Sequence, residues 1–177
     1  MSDRRWNRAY LSLGSNIEPE RNLPAAVREL AAFGRTAAIS RVWESAPFGC
    51  GERASDRFAR NFLNAAVLLE TELSAQALCV DAVPAIERRL GRVRDPHNKN
   101  AARTIDVDLS LFNRDVLTVA HRKIPDPEIL TRAFVAVPLA ELDPEYLLPT
   151  ADRSLAEIAA ALAPTAGLHL RPDVPLR

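Results

Sequence analysis

The sequence predicts an α+β protein: a ferredoxin-like β-α-β-β-α-β core extended to a three-layer α/β/α single domain, residues 1–177, with a mainly antiparallel sheet. Three observations carry that expectation. β-like and helix-like segments follow one another in that order, and the 177 residues are 47% hydrophobic, enough for one full core. No internal repeat, low-complexity tract or linker divides them.

Residues 9–13, AYLSL, alternate in character as a short strand does, and GSN follows as a turn. In PERNLPAAVRELAAFG, Leu23, Val27, Leu30 and Phe33 recur at helical spacing, and Gly34 supplies a stop. The β-formers of 36–45 and 61–73 predict two antiparallel strands, joined across the polar 46–60 by a long mobile loop. Ser74 caps a second helix whose apolar stripe is Cys79, Val83, Ile86 and Leu90, ended by Gly91. Pro84 lies inside it, so a kink or a later start is expected. A charged loop, 92–102, feeds a strand at 103–112. Beyond it come a short β-like VLTV, a helix-like stretch at 127–142 and a helix at 154–163. The tail from Pro164, with three prolines, is expected to wrap the surface or fray.

Composition narrows the function. With 23 basic and 23 acidic side chains the formal net charge is zero, which gives no global excess for binding nucleic acid. Cys50 and Cys79 are too few for a disulfide framework or a zinc site. The opening MSDRRWNRAY lacks the apolar core of a signal peptide, and no run approaches the roughly 20 apolar residues that span a bilayer. A soluble cytoplasmic protein with no membrane partner is expected.

RTIDVDLSLF, 103–112, reads as a buried strand interrupted by Asp106 and Asp108. Asp is depleted from strands, and a buried carboxylate costs several kcal/mol unless it is compensated. Residues two apart share a strand face, so these carboxylates project together, roughly 7 Å apart at the backbone. A pair of magnesium ions about 4 Å apart would compensate both, as in two-metal phosphoryl chemistry. An edge strand with both acids solvated is the alternative. Arg92, Arg94, Lys99 and Arg103 precede the pair, and such cations clamp phosphate oxygens beside a metal. There is no glycine-rich nucleotide loop and no nucleophile constellation, and His97, His121 and His169 read as surface residues. On the residues alone, Phe62 and Phe134 are ordinary core.

YLSLGSN, SAPFG, FLNAAV, IERRLGRVR, RTIDVDL and TRAFVAVPLAEL occur here in the order and near the spacing of the 6-hydroxymethyl-7,8-dihydropterin pyrophosphokinase family, which the chain resembles from Tyr10 to about Pro149. The resemblance implies transfer of the β,γ-pyrophosphate of ATP, the co-substrate, to the pterin hydroxymethyl group. AMP is released, in folate biosynthesis. A monomer whose partners are pterin and ATP, with no nucleic acid, is the expectation here. The resemblance also implies that Asp106 and Asp108 hold two Mg2+ ions and that Arg92 and Arg103 act on the triphosphate. Glu87, Arg94, Leu109 and Arg132 then belong to the nucleotide site. Phe62 and Phe134 become the rings that stack on the pterin, Asn64 the amide that reads its edge, and Ser45 a further contact.

Two departures stand out. NKNAAR replaces the family's RWGPR, placing Asn100 where a loop tryptophan is usual. PDP replaces PHP or PHY, placing Asp126 where a histidine faces the phosphates. An acid there repels phosphate unless a cation intervenes, and Lys99 or His97 is the expected cation. A diverged pterin- or nucleotide-binding protein with little transfer activity is the second reading. A ferredoxin-like RNA-binding module, which would want basic charge on its sheet, is a distant third.

Overall fold

The computed structural model describes residues 6–47, 60–94, 97, 101–165 and 167–176. Its strands β1 (Asn7–Ser15), β2 (Arg35–Ile39), β3 (Trp43–Ser45), β4 (Phe62–Thr71), β5 (Asp106–Phe112) and β10 (His169–Leu170) form one antiparallel sheet in the order β10-β3-β4-β1-β5, with β2 also pairing β4. Hairpins β6 (Leu117–Val119) with β7 (Arg122–Ile124), and β8 (Leu147–Leu148) with β9 (Arg153–Ser154), stand outside it.

Helices cover both faces, giving the three layers expected. The odd-numbered side chains of β1 and β4, such as Leu11, Leu13, Val67 and Leu69, pack with Val107 and Leu109 against α1 (Pro19–Leu30) and α3 (Val83–Arg89), through Leu23, Val27, Leu30 and Ile86. Tyr10, Ala66, Leu68 and Leu111 on the other face pack against α4 (Ala133–Leu142) and α5 (Leu155–Leu162). Successive side chains thus feed alternate cores, as in a sheet covered on both faces. No described helix is long and apolar enough to cross a membrane.

Several elements differ from the sequence reading, each for a local reason. The single strand expected at 36–45 is two, because Ser40 turns its hydroxyl onto the Ala66 N–H at 2.8 Å between β2 and β3. The helix after Ser74 starts as a short α2 (Ala75–Ala77), opens into a π turn over Leu78–Ala82, and resumes as α3. Pro84 has no N–H to continue an ordinary ladder, and the wide turn accommodates it. The stretch 127–142 is a 3₁₀ turn (Pro127–Leu130) and then α4, broken where Arg132 adopts extended backbone. Gly34 lies past the end of α1 at Leu30, where a Cβ would overlap the Glu70 carbonyl oxygen. The tail does not fray: β10 pairs with β3, and Val174 and Leu176 are buried in the first core. The loop expected at 46–60 lies largely outside the described residues, as do Cys50, Lys99 and Asn100.

Strand β5 contains the feature that positions the site. Leu11 pairs with Leu109 but Tyr10 with Leu111, so Ser110 is an extra residue, a bulge that reverses the facing of the rest of the strand. Asp106 and Asp108 therefore share a sheet face with Leu111. α4 and α5 cover that face only around Tyr10, Ala66, Leu68 and Leu111. At the other end Ser12, Gly14, Phe62, Asn64, Asp106 and Asp108 border an open cleft.

Candidate active site

The cleft has a volume of about 680 Å³. The sheet, the end of β3, the β6–β7 hairpin, the 3₁₀ turn and the start of α4 wall it. It brings together Ser45, Phe62, Asn64, Arg103, Asp106, Asp108, Leu109 and Phe134 among the residues expected from sequence. Register explains the convergence: Gly14 of β1 pairs with Asn64 on one side and Asp106 on the other, and Ser12 pairs with Asp108.

The acidic end is densely paired. Asp106 accepts hydrogen bonds from both Arg92 and Arg103. Arg92 also meets Glu87, which is 3% exposed and accepts from Arg94 at 2.8 Å and from the Val107 N–H at 3.1 Å. Glu87, Arg92 and Arg94 thus stand behind Asp106 and are not part of the cleft wall. Burial raises the Asp106 carboxyl, but Arg92 and Arg103 together outweigh it and hold the group below the usual carboxylate range. Asp108 pairs with Arg122 of β7.

Arg103 is fixed from its backbone. Its N–H donates to Asn16 Oδ1 at 2.7 Å, and its carbonyl accepts the N–H groups of Asn16 and Ile17 at 3.1 and 3.2 Å. Ser15 Oγ donates to the Thr104 carbonyl at 2.5 Å. GSN, expected as a turn, is instead the last two residues of β1, paired into the sheet, and Asn16 after them, and it clamps the segment that delivers Arg103 and Asp106. The Arg103 guanidinium lies 5.7 Å from the centre of the Phe62 ring, within cation–π range.

The other end is neutral. Asn64 is 5% exposed, and its Nδ2 donates to the Trp43 carbonyl at 3.1 Å and to Ser45 Oγ at 3.0 Å. Phe62 and Phe134 are only half-buried and border the cleft, and Phe134 also packs against the second core. Leu109 is buried in the first core, so its backbone is what it offers the cleft.

Asp126 borders the cleft and accepts the Glu128 N–H at 2.9 Å, capping the 3₁₀ turn. Burial pushes its carboxyl up, and the Glu128 N–H and the Arg122 charge oppose that. Among the described residues Arg122 is a cation acting on Asp126; Lys99, which the sequence reading gave that role together with His97, lies outside them. Glu128 is likewise pushed up by burial and by Asp126, with Arg132 opposing. Arg132 acts at this edge and does not wall the cleft. Arg122, Lys123 and His121 come from a hairpin whose second strand sequence reasoning missed, and His121, although exposed, is a cleft residue.

The chain is similar to known proteins of one family. The model of the 7,8-dihydro-6-hydroxymethylpterin-pyrophosphokinase family matches residues 10–144. Proteins named 2-amino-4-hydroxy-6-hydroxymethyldihydropteridine pyrophosphokinase are similar along most of the chain. That of Pseudomonas aeruginosa is 36% identical over 93% of this chain and 97% of its own length. That of Methylorubrum extorquens is 37% identical over 80% and 85%. The solved wild-type Plasmodium falciparum HPPK-DHPS matches 88% of this chain with a TM-score of 0.66 at 12% identity, a likeness of fold. This chain covers 44% of that longer one. On the family match and these relatives together, the chain belongs to the 7,8-dihydro-6-hydroxymethylpterin-pyrophosphokinase family.

Proposed function

We propose that this chain transfers pyrophosphate from ATP to the hydroxymethyl group of 6-hydroxymethyl-7,8-dihydropterin, releasing AMP, in folate biosynthesis. The observation that carries the reading is that one cleft joins a neutral wall of two half-buried rings, an amide and a hydroxyl to an acidic end ringed by arginines. A flat heteroaromatic fits between rings and against an amide edge. A triphosphate fits the arginines.

Asp106 and Asp108 are the residues that would hold Mg2+. Both present carboxylate oxygen to the cleft, the donor this ion prefers. Two carboxylates leave the ion's remaining positions to water and substrate phosphate, the coordination Mg2+ favours. When bound, Mg2+ supplies charge neutralisation and alignment of the phosphate oxygens.

The residues of the chain do the rest. Arg103, already facing the cleft, moves its charge from Asp106 to the phosphates. Arg92, held by Glu87, keeps Asp106 ionised and oriented. Arg122 leaves Asp108 and balances Asp126, so that acid does not repel the nucleotide. Glu87 and Arg94 support the nucleotide side from behind Asp106, Leu109 offers it backbone and Arg132 acts at its edge, while Ser45, Phe62, Asn64 and Phe134 hold the pterin. Catalysis is then mostly alignment and electrostatic stabilisation.

Nucleotide analysis after incubation with ATP, Mg2+ and hydroxymethyl-dihydropterin tests this. Pterin-dependent AMP, equal in amount to pterin pyrophosphate, is expected. Tight pterin binding with no AMP would favour the diverged binding protein, a reading drawn from Asp126 on the cleft wall.

A further inference from the structure

Strand β3 is three residues long, yet in the function proposed above it holds the amide that reads the pterin, and the role of the tail at this site rests on that reading. Trp43 pairs with Asn64 and Ser45 with Phe62, so the register of β3 fixes the two shortest hydrogen bonds of the Asn64 side chain. A strand this short has little of its own to hold it.

The C-terminal segment covers its outer edge. His169 pairs with Glu44 and Leu170 with Trp43, and the Arg171 N–H donates to the Val42 carbonyl at 2.9 Å. Side chains clamp β3 from both faces. On the cleft side Trp43 Nε1 donates to Glu141 of α4 at 3.0 Å. On the other side Glu44 accepts Arg171 Nη1 at 2.7 Å and Asn61 Nδ2 at 2.7 Å, immediately before Phe62. The same guanidinium bonds Asp173 at 2.9 and 2.7 Å and reaches Glu20 of α1 at 3.5 Å. Beyond it, Val174 and Leu176 are buried in the first core and anchor the segment. An isolated exposed ion pair contributes little. Arg171 differs because one planar group joins α1, β3, the tail and, through Glu44, the entry to β4.

We propose that residues 168–176 form a strap that holds β3 in register, with Arg171 as a positioning residue acting through Glu44 on the wall formed by Ser45, Phe62 and Asn64. The strap lies beyond the residues matched by the family model, 10–144.

The test compares the natural chain with Arg171→Gln, Arg171→Lys and the double variant Glu44→Gln/Arg171→Gln. Pterin affinity is measured with saturating Mg2+ and a non-hydrolysable ATP analogue, the affinity for the analogue is measured separately, and hydrogen exchange is followed at the amides of residues 43–45. Arg171→Gln is expected to weaken pterin binding about five- to tenfold and to speed exchange in β3, with analogue affinity within about twofold. Arg171→Lys recovers only part of the loss, because an ammonium cannot reproduce the planar fork, and the double variant is no weaker than Arg171→Gln, because both changes break one link. Unchanged exchange in β3, or equal loss of pterin and analogue affinity, overturns the strap. If the natural chain binds no pterin, the pterin reading falls by itself. The exchange data then decide the strap alone: faster exchange confined to β3 supports it, and none overturns it.

Discussion

At one end of the cleft Asp106 and Asp108 meet Arg92, Arg103 and Arg122, while at the other Asn64 meets a strand carbonyl and a serine hydroxyl. The first set consists of charges satisfied by one another, so any ligand there must exchange partners with them. The second is built by strand register and is complete before a ligand arrives. Exchange suits a triphosphate, whose charge replaces the lost carboxylates, and a prebuilt wall suits a rigid neutral ring.

Breaking the charged end should cost most. In Asp108→Asn, AMP formation at saturating substrates is expected to fall about 10²- to 10³-fold, as when a transition-state charge contact is removed. Glu87→Ala is the next largest and acts on stability. It strips the Val107 N–H of its buried acceptor and leaves Arg92 with Asp106 alone, at about 1–3 kcal/mol, visible as a Tm lower by several degrees. Asn64→Ala breaks the neutral end and should raise the pterin KM about tenfold, with the ATP KM nearly unchanged, by steady-state kinetics.

The smallest effect carries a sign. The Asp106 carboxyl is depressed, so it adds stability above the ordinary Asp pKa and loses it as pH falls through the folded value. Asp126 is raised, so its contribution is fully present below its unfolded pKa and lost as pH rises through the folded one. Asn keeps the capping oxygen without the charge. Asp126→Asn should therefore stabilise by about 0.5 kcal/mol near neutral pH, a gain that vanishes in acid, read from melting curves across pH.

Legibility in the sequence divides along the same line. Asp106 and Asp108 announced themselves because acids break a strand pattern, and the arginines before them because they lie close in the chain. Phe62 and Phe134 look like core in any single sequence, and only their half-burial against the cleft sets them apart. Arg122 was missed because its strand has three residues and no alternation to read. The Ser110 bulge leaves no mark in residue type, although it decides which face the aspartates share with Leu111. The tail looked loose because its anchors, Val174 and Leu176, are two apolar residues among prolines, and their value depends on a core that closes far away in sequence.

The most direct test of this division is AMP formation by Asp106→Asn beside the natural chain, at saturating ATP, Mg2+ and pterin. Asn keeps the size and removes the charge that Arg92 and Arg103 hold. The account predicts pterin-dependent AMP from the natural chain and a loss of about 10²- to 10³-fold in the variant, with its melting behaviour still cooperative. Turnover within about tenfold of the natural chain would contradict it, because transfer would then not run through the charged end.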